Sequence, residues 1–350
     1  MPSSKLTRLE IEKREKLKAS KPLVYEKVMR FEEKYAKGES IAIIQFQYDY
    51  ACNFRCRHCS ISSFQHKKNP RAFTVPDVRE LSRQADAMGL AHLDLTGGEP
   101  LVFPDLDKVI GAIDPAKFYL QCDTNGWLMT GEKAKHLKSL GVDKIQLSLD
   151  SLSADEHDDF RRKKGSYEKA INSIDAIKKA GLSLQLATVV THQRVRSEEF
   201  IQFLEFAKEK DVAVSVVWPK PVGEWSGNFG VLITKEDIEF VTSLRKKYNV
   251  YDHLTPAFGM NIGCLAVKRM ISITKYGDVM PCPWMYFSLG NFFEEPLKDI
   301  VGRGMKYFAR HETNCLVSGD RDFIDKYVAK SYGKDLPVPI EQIFPKGVRE

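Results

Sequence analysis

No stretch of about eighteen apolar residues occurs in this 350-residue chain, so nothing in it reads as a transmembrane helix. The opening MPSSKLTRLEIEKREKLKASK lacks the apolar core of a secretory signal. Solenoid-type repeats and low-complexity tracts are also missing. Charge of one sign is in little excess: 53 Lys and Arg against 47 Asp and Glu leave +6, with both signs mixed along the chain. That balance gives no indication of nucleic acid or of a membrane surface. These absences point to a cytoplasmic protein, in a compartment where thiols stay reduced. Its seven cysteines then read as metal ligands or redox groups before disulfides.

What is present is rhythm. Residues 1–40 are rich in Lys and Glu and read as an N-terminal helical extension, packed on the outside of a domain through Leu9, Val24, Val28 and Phe31. From about 41 to 218 a strand-then-helix unit recurs six times. Strands are expected at AIIQFQYDY, AHLDLTG, KFYLQCD, KIQLSLD, LSLQLATVVT and VAVSVVW. Helical spacing fills the gaps, with Ser166 as an expected N-cap and Gly89, Gly141 and Gly181 as expected stops. The fold class is therefore α/β with a parallel sheet, and six units suit a partial (β/α)6 TIM-like barrel that stays laterally open. One strand parity is apolar (Leu93, Leu95, Leu120, Cys122, Ile145, Leu147, Leu149) and should face the helices. The other is polar (Gln45, Gln47, Asp49, His92, Asp94, Gln121, Asp123, Gln146, Ser148, Asp150, Gln185) and should face the barrel axis as a wet cavity for a polar ligand. The rhythm fades after WPKPVGEWSGNFG, so residues 41–250 form the expected core and 251–350 a smaller second domain.

Cysteines cluster at two places. Cys52, Cys56 and Cys59 stand as C-x3-C-x2-C just after the first strand, at the end of the barrel where active sites of such folds lie. Thiolates suit zinc or iron–sulfur clusters. A zinc site closes with four ligands, for which His58 would have to serve, whereas three cysteines on a [4Fe–4S] cluster leave one iron open. CNFRCRHC after strand one, with LTGGEP after strand two, resembles the radical S-adenosylmethionine (radical SAM) superfamily, and the resemblance covers about residues 41–220.

That resemblance implies a [4Fe–4S] cluster on Cys52, Cys56 and Cys59, whose open iron takes SAM. It implies cofactor contacts from Gly97, Gly98 and Glu99, from Asn125 within TNG, from Ser148 and Asp150 within SLDS, from Arg161 or Arg162, and from Val189 beside the adenine. His58 stands where the family often has an aromatic residue. The implied reaction is reductive cleavage of SAM to methionine and a 5′-deoxyadenosyl radical that takes a hydrogen atom from substrate. A reductant such as flavodoxin or ferredoxin would supply the electron. By parity, Asp123 and Gln146 are candidate substrate contacts.

Cys264 and Cys282 sit in a C-x12-G-x4-C pattern followed by SLGNF and then Cys315, which resembles the SPASM or twitch extension of the same superfamily. Full SPASM domains carry more cysteines and two clusters, so one auxiliary [4Fe–4S] cluster on Cys264, Cys282 and Cys315 is the expectation. Its fourth ligand is His311, Asp320 or none. Cys122 could return a hydrogen atom to a product radical, but its parity favours a buried structural thiol. Two substrates stay open, a peptide or protein, crosslinked or epimerised by a maturase, and a small polar metabolite, dehydrogenated or epimerised; a non-enzymatic iron–sulfur electron-transfer module is the remote alternative. Residues 1–40 are too short for a winged-helix leader-binding module, so the first would need a separate delivery partner.

Overall fold

A computed structural model describes residues 8–64, 71–258 and 260–345. In chain order it runs α1 (Arg8–Ser20), α2 (Pro22–Met29), α3 (Phe31–Ala36), β1 (Ile43–Asp49), α4 (Val75–Ala87), β2 (His92–Gly97), α5 (Leu106–Ile113), β3 (Tyr119–Thr124), α6 (Gly131–Ser139), β4 (Lys144–Ser148), α7 (Ala154–Arg161), α8 (Ser166–Lys179), β5 (Ser183–Val189), α9 (Glu198–Glu209), β6 (Ala213–Val217), α10 (Lys235–Leu244) and β7 (Val250–Asp252). The C-terminal part adds β8 (Met270–Ile273), β9 (Val279–Met280), β10 (Phe287–Ser288), α11 (Leu297–Phe308), α12 (Arg321–Lys326), β11 (Val338–Pro339) and α13 (Ile340–Ile343). No helix among the described residues is long and apolar enough to cross a membrane.

Strands β1 to β6 lie side by side, each parallel to the next, and form the expected open barrel. The sheet does not stop there. Its order is β7-β6-β5-β4-β3-β2-β1-β8-β9, so β7 extends one edge in parallel and β8 the other. Both additions are short and lack a six-unit rhythm, which is why periodicity does not announce them. β10 and β11 pair in a small separate sheet.

Leu93, Leu95, Leu120, Cys122, Ile145, Leu147 and Leu149 are fully buried in the main core. The apolar parity thus packs under the helices, as its period of two requires. The polar parity divides by height. Gln45, Gln47, Asp123, Gln146 and Ser148 line a cavity. Below it the axis is filled: Gln121 donates to Asp123 at 2.9 Å, His92 meets Asp94 at 3.0 Å, and Lys144 donates to Tyr251 at 3.3 Å. Asp49 and Asp150 depart from the expectation. Asp49 pairs with Lys275 at 2.7 Å and caps the Ala51 N–H, and Asp150 is taken by Arg161.

The N-terminal extension is three short helices, not one. Val24, Val28 and Phe31 are buried with Ile41, Ala91 and Ile262, and the side chain of Leu9 lies outside the described residues. Lys21 reaches the Phe118 and Gly141 carbonyls at 2.9 and 3.2 Å, Lys27 those of Leu90 and Lys117 at 3.0 and 2.8 Å, and Lys34 that of Met88. These carbonyls lie in the turns that enter β2, β3 and β4. The lysines therefore brace the barrel floor, satisfying backbone acceptors that strands leave open at their starts.

Gly89, Gly141 and Gly181 end their helices at φ 68°, 92° and 73°. Ser166, however, is the first residue of α8 and not its cap. Gly165 holds the cap position at φ 82°, and the Ser166 hydroxyl donates to Asp158 at 2.8 Å. Asp158 also accepts the Gly165 and Tyr167 N–H groups, so a carboxylate from the preceding helix does the capping.

Candidate active site

The loop after β1 is built by its neighbours. Asp49 and Ala51 carbonyls accept the N–H groups of Gly98 and Glu99 at 2.8 and 2.9 Å, stitching this loop to the one after β2. A Cβ on Gly97 would lie 2.1 Å from the Asp49 carbonyl oxygen, and one on Gly98 would lie 2.0 Å from that of Ala51. Only glycine lets the two backbones approach this closely. Arg57 N–H donates to the Phe160 carbonyl at 3.0 Å, Glu224 N–H to that of Cys59 at 3.0 Å, and the Tyr286 hydroxyl to that of Ser60. A Cβ on Gly223 would meet the Cys59 carbonyl at 2.2 Å. Elements from four parts of the chain thus fix the thiols.

Cys52, Cys56 and Cys59 line one cavity of about 580 Å³. Each faces a positive group. Cys52 Sγ accepts the Phe54 N–H at 3.4 Å, Cys59 faces the N–H groups of Ile61 and Ser62, and Arg161 Nη1 lies 3.9 Å from Cys56 Sγ. Such contacts favour the thiolate. Burial nevertheless pushes Cys52 up to about 11, so a bound metal would have to balance the charge. Among the described residues no three Cys, His, Asp or Glu side chains converge on a single ion-sized point. The His58 ring stacks on Phe160 (centroids 4.4 Å apart, planes 9° off parallel), with its Nδ1 buried and without a partner among the described residues. A tetrahedral zinc set with His58 is not what this loop presents. Three thiolates spread around a polynuclear cluster fit it better.

Glu99 is buried, and it ties two strand ends together. Its Oε1 accepts from Leu101 N–H at 3.2 Å and Thr124 Oγ1 at 2.7 Å, and its Oε2 from Asn125 N–H at 2.7 Å. Burial, opposed by those bonds, pushes its carboxyl up to about 7. Glu99 also lines the cavity. Asn125 also lines the cavity and donates to Asn53 at 2.8 Å. Arg161 pairs with Asp150 through Nε and Nη2, both at 2.6 Å. Burial acts to raise Asp150, yet the Arg161 guanidinium, His58, His157 and the Val189 N–H together outweigh it and hold the carboxyl below its usual range. The other Asp150 oxygen accepts the Val189 N–H at 2.9 Å. Asp150 therefore sits one layer behind the wall and positions Arg161 and Val189, both of which line it. Arg162 is the half-exposed helix cap at φ 49°, 3.7 Å from Glu224.

Asp123 and Gln146 form the floor, adjacent by register. Burial and then the Asp94 charge push Asp123 up to about 8, and burial brings Lys144 beneath it down to about 8. Cys122 is fully buried and does not line the cavity.

The second cysteine set is assembled from 52 positions of chain. Cys264, Cys282 and Cys315 are 5%, 6% and 3% exposed. Cys264 and Cys315 lie close enough to push Cys282 up, and Cys264 close enough to push Cys315 up. Cys282 faces the N–H groups of Trp284 and Met285, Cys315 that of Val317, and the Ser318 hydroxyl is buried without a partner among the described residues. Buried thiols under N–H donors with an orphaned hydroxyl nearby are a donor set suited to a cluster. Among the expected fourth ligands, Asp320 accepts the Phe323 N–H at 2.9 Å as the cap of α12, and His311 meets the Asn261 carbonyl at 3.2 Å.

Lys220, Trp225, Pro283 and Trp284 also line the cavity, and sequence reasoning had not singled them out. A Trp- and Gly-containing stretch at the end of the sixth strand was the available signal. Burial brings Lys220 down to about 8, opposed by Cys315 and Cys282, so this wall lies next to the second cysteine set.

The profile of the Radical SAM superfamily matches residues 49–207, and that of an iron–sulfur cluster-binding domain, SPASM, matches residues 264–317. The chain belongs to the radical SAM superfamily. This radical SAM enzyme is 25% identical, over 288 residues, to the AdoMet-dependent heme synthase of Methanosarcina barkeri, covering 74% of this chain and 81% of that one. It is 24% identical to the mycofactocin maturase MftC of Mycobacterium tuberculosis, covering 77% and 72%. Its fold is similar to Streptococcus suis SuiB bound to precursor peptide SuiA, with TM-score 0.61, 19% identity and coverage of 78% and 68%. It is also similar to anSMEcpe with bound AdoMet, with TM-score 0.57, 19% identity and coverage of 74% and 79%. Members use SAM and a [4Fe–4S] cluster, and the SPASM match implies auxiliary iron–sulfur binding in this radical SAM enzyme as well.

Proposed function

We propose that the protein is a maturase that directs a SAM-derived radical at a peptide or protein. The observation that carries this reading is a single cavity bounded at once by Cys52, Cys56 and Cys59, by the Gly97–Glu99 loop, and by Pro283 and Trp284 next to Cys282. In this reading Cys52, Cys56 and Cys59 hold the SAM-binding [4Fe–4S] cluster. Gly97, Gly98, Glu99, Asn125, Ser148, Arg161 and Val189 hold SAM, with Asp150 acting through Arg161 and Val189. Bound there, SAM and the cluster supply a 5′-deoxyadenosyl radical that removes a hydrogen atom from a substrate C–H, with the electron from a flavodoxin- or ferredoxin-type reductant.

The chain's own residues bind, orient and exclude water. Asp123, whose carboxyl burial and the Asp94 charge push up, contacts substrate beside Gln146, and Trp225 and Trp284 cover the wall. Residues 41–250 serve as the SAM-cleaving core, 251–350 as the auxiliary region and 1–40 as the brace of the barrel floor. Cys264, Cys282 and Cys315 hold one auxiliary [4Fe–4S] cluster. The engagement of Asp320 and His311 elsewhere supports an iron without a cysteine ligand there.

The mycofactocin maturase and the peptide-bound SuiB support a peptide substrate. A second reading, oxidation or epimerisation of a small polar metabolite, is favoured by the polar floor of Gln45, Gln47, Asp123 and Gln146. The test is anaerobic reduction of the cluster-loaded protein with SAM, using perdeuterated peptides encoded beside its gene. Deuterium appearing in 5′-deoxyadenosine supports the maturase. Deuterium arriving only from a labelled metabolite replaces it with the second reading, and no 5′-deoxyadenosine at all defeats both.

A further inference from the structure

Building on that reading, we propose that Lys220 is a binding site for a substrate carboxylate, set in the cavity wall between the two cysteine sets. Lys220 is 5% exposed and lines the cavity. Its Nζ donates to the Trp218 carbonyl and lies 3.7 Å from the centre of the Trp284 ring. An ammonium has three donors, and these contacts leave donor capacity toward the cavity.

Among the described residues no carboxylate forms an ion pair with Lys220. Asp252 acts on it only at longer range, because its own oxygens are held by Trp218 Nε1 at 2.8 Å, Arg245 at 3.2 Å and the Leu254 N–H at 3.0 Å. The other buried cation of this wall is satisfied, since Arg161 has Asp150. Buried charges are ordinarily paired, because desolvation of a lone cation is costly. A cation held without an anion at a cavity wall therefore suits an anionic ligand. The Trp284 ring beside it, with Trp225 elsewhere on the same cavity wall, suits a carboxylate carried on an apolar body, such as a Glu or Asp side chain or a peptide C-terminus.

Two other anions could meet this cation. One is the methionyl carboxylate of SAM. The other is the set of thiolates at Cys282 and Cys315, whose charge reaches Lys220. The probe is 4-bromobenzoate, with 4-bromobenzamide as its neutral control, applied to anaerobic, cluster-loaded full-length protein under saturating SAM. The bromine anomalous signal in crystals should place the benzoate carboxylate on Lys220 Nζ and find no benzamide there. In solution Lys220→Met should weaken benzoate binding by about tenfold or more and leave the benzamide unaffected, while Lys220→Arg keeps the preference. In a parallel titration without SAM, benzoate that binds and is lost when SAM is added would overturn the proposal in favour of the cofactor carboxylate. Absence of benzoate from the wild-type wall both with and without SAM, or equal affinity in Lys220→Met, would leave the thiolates as the only partner and overturn it too. Binding needs no turnover, so this result stands apart from whether 5′-deoxyadenosine forms.

Discussion

The two cysteine sets are assembled by opposite routes. Cys52, Cys56 and Cys59 lie within one short loop, and neighbouring backbones must come to it: Gly98, Phe160, Gly223 and Tyr286 each approach within hydrogen-bond or contact distance. Cys264, Cys282 and Cys315 are far apart in sequence and are brought together by the fold, each almost fully buried. The first set borders an open cavity, whereas the second lies behind Lys220 and Trp284. A loop set of this kind keeps a position for an exchangeable ligand. A buried set favours retention, with its contact to substrate mediated by the wall in front of it.

The strongest way to break the comparison is to remove a ligand from each set. Cys56→Ala should lower 5′-deoxyadenosine formation about a hundredfold or more, measured by chromatography after anaerobic reduction. Cys282→Ala should reduce iron from about eight to about four per chain and spare SAM cleavage. Retention of all iron in Cys282→Ala would remove the auxiliary site from the account.

Glycines that back each set give the next effect. A Cβ on Gly98 would sit 2.0 Å from the Ala51 carbonyl, and one on Gly263 (φ 68°) would sit 2.1 Å from that of Glu312, which also accepts the Cys264 N–H. Gly98→Ala should deplete the first cluster and Gly263→Ala the second, each with a loss of about 1–3 kcal/mol in denaturation. Electron paramagnetic resonance of the reduced proteins would show which signal goes, and a crossed pattern would sink the assignment.

At the floor, Asp123→Ala should cut coupled product about tenfold while 5′-deoxyadenosine continues to form. Unchanged product would free Asp123 of a substrate role. The smallest effect is on pH dependence. Burial pushes Asp123 up to about 8, while an unfolded Asp ionises near 4. Between these values the unfolded chain has lost a proton that the native chain keeps, so this group's contribution to stability declines as pH rises from about 4 to about 8. Asp123→Asn should flatten that decline in urea midpoints compared at pH 5 and pH 8. Equal slopes would mean that Asp123 ionises normally.

Much of the barrel was legible because its signals are local. Six strands, their parity and the glycine helix stops follow from periods of two and 3.6. Ser166 shows the limit: a good capping residue was present, but Asp158 from another helix took the role. Asp150 shows another. Its strand parity pointed inward, yet Arg161, arriving eleven residues later, drew the carboxylate behind the wall. β7 and β8 were invisible because short strands added outside the repeating units are defined by the partners they join.

By itself the sequence determined the superfamily, the cluster loop and the order of the barrel, since each is written in spacing along the chain. Only the tertiary structure decided that Glu99 ties β2 to β3, that Cys264, Cys282 and Cys315 come near one another, and that a lysine without a carboxylate partner among the described residues stands between the two sets. Those features depend on which side chain first satisfies a buried charge or carbonyl, and that competition is settled only when distant segments pack.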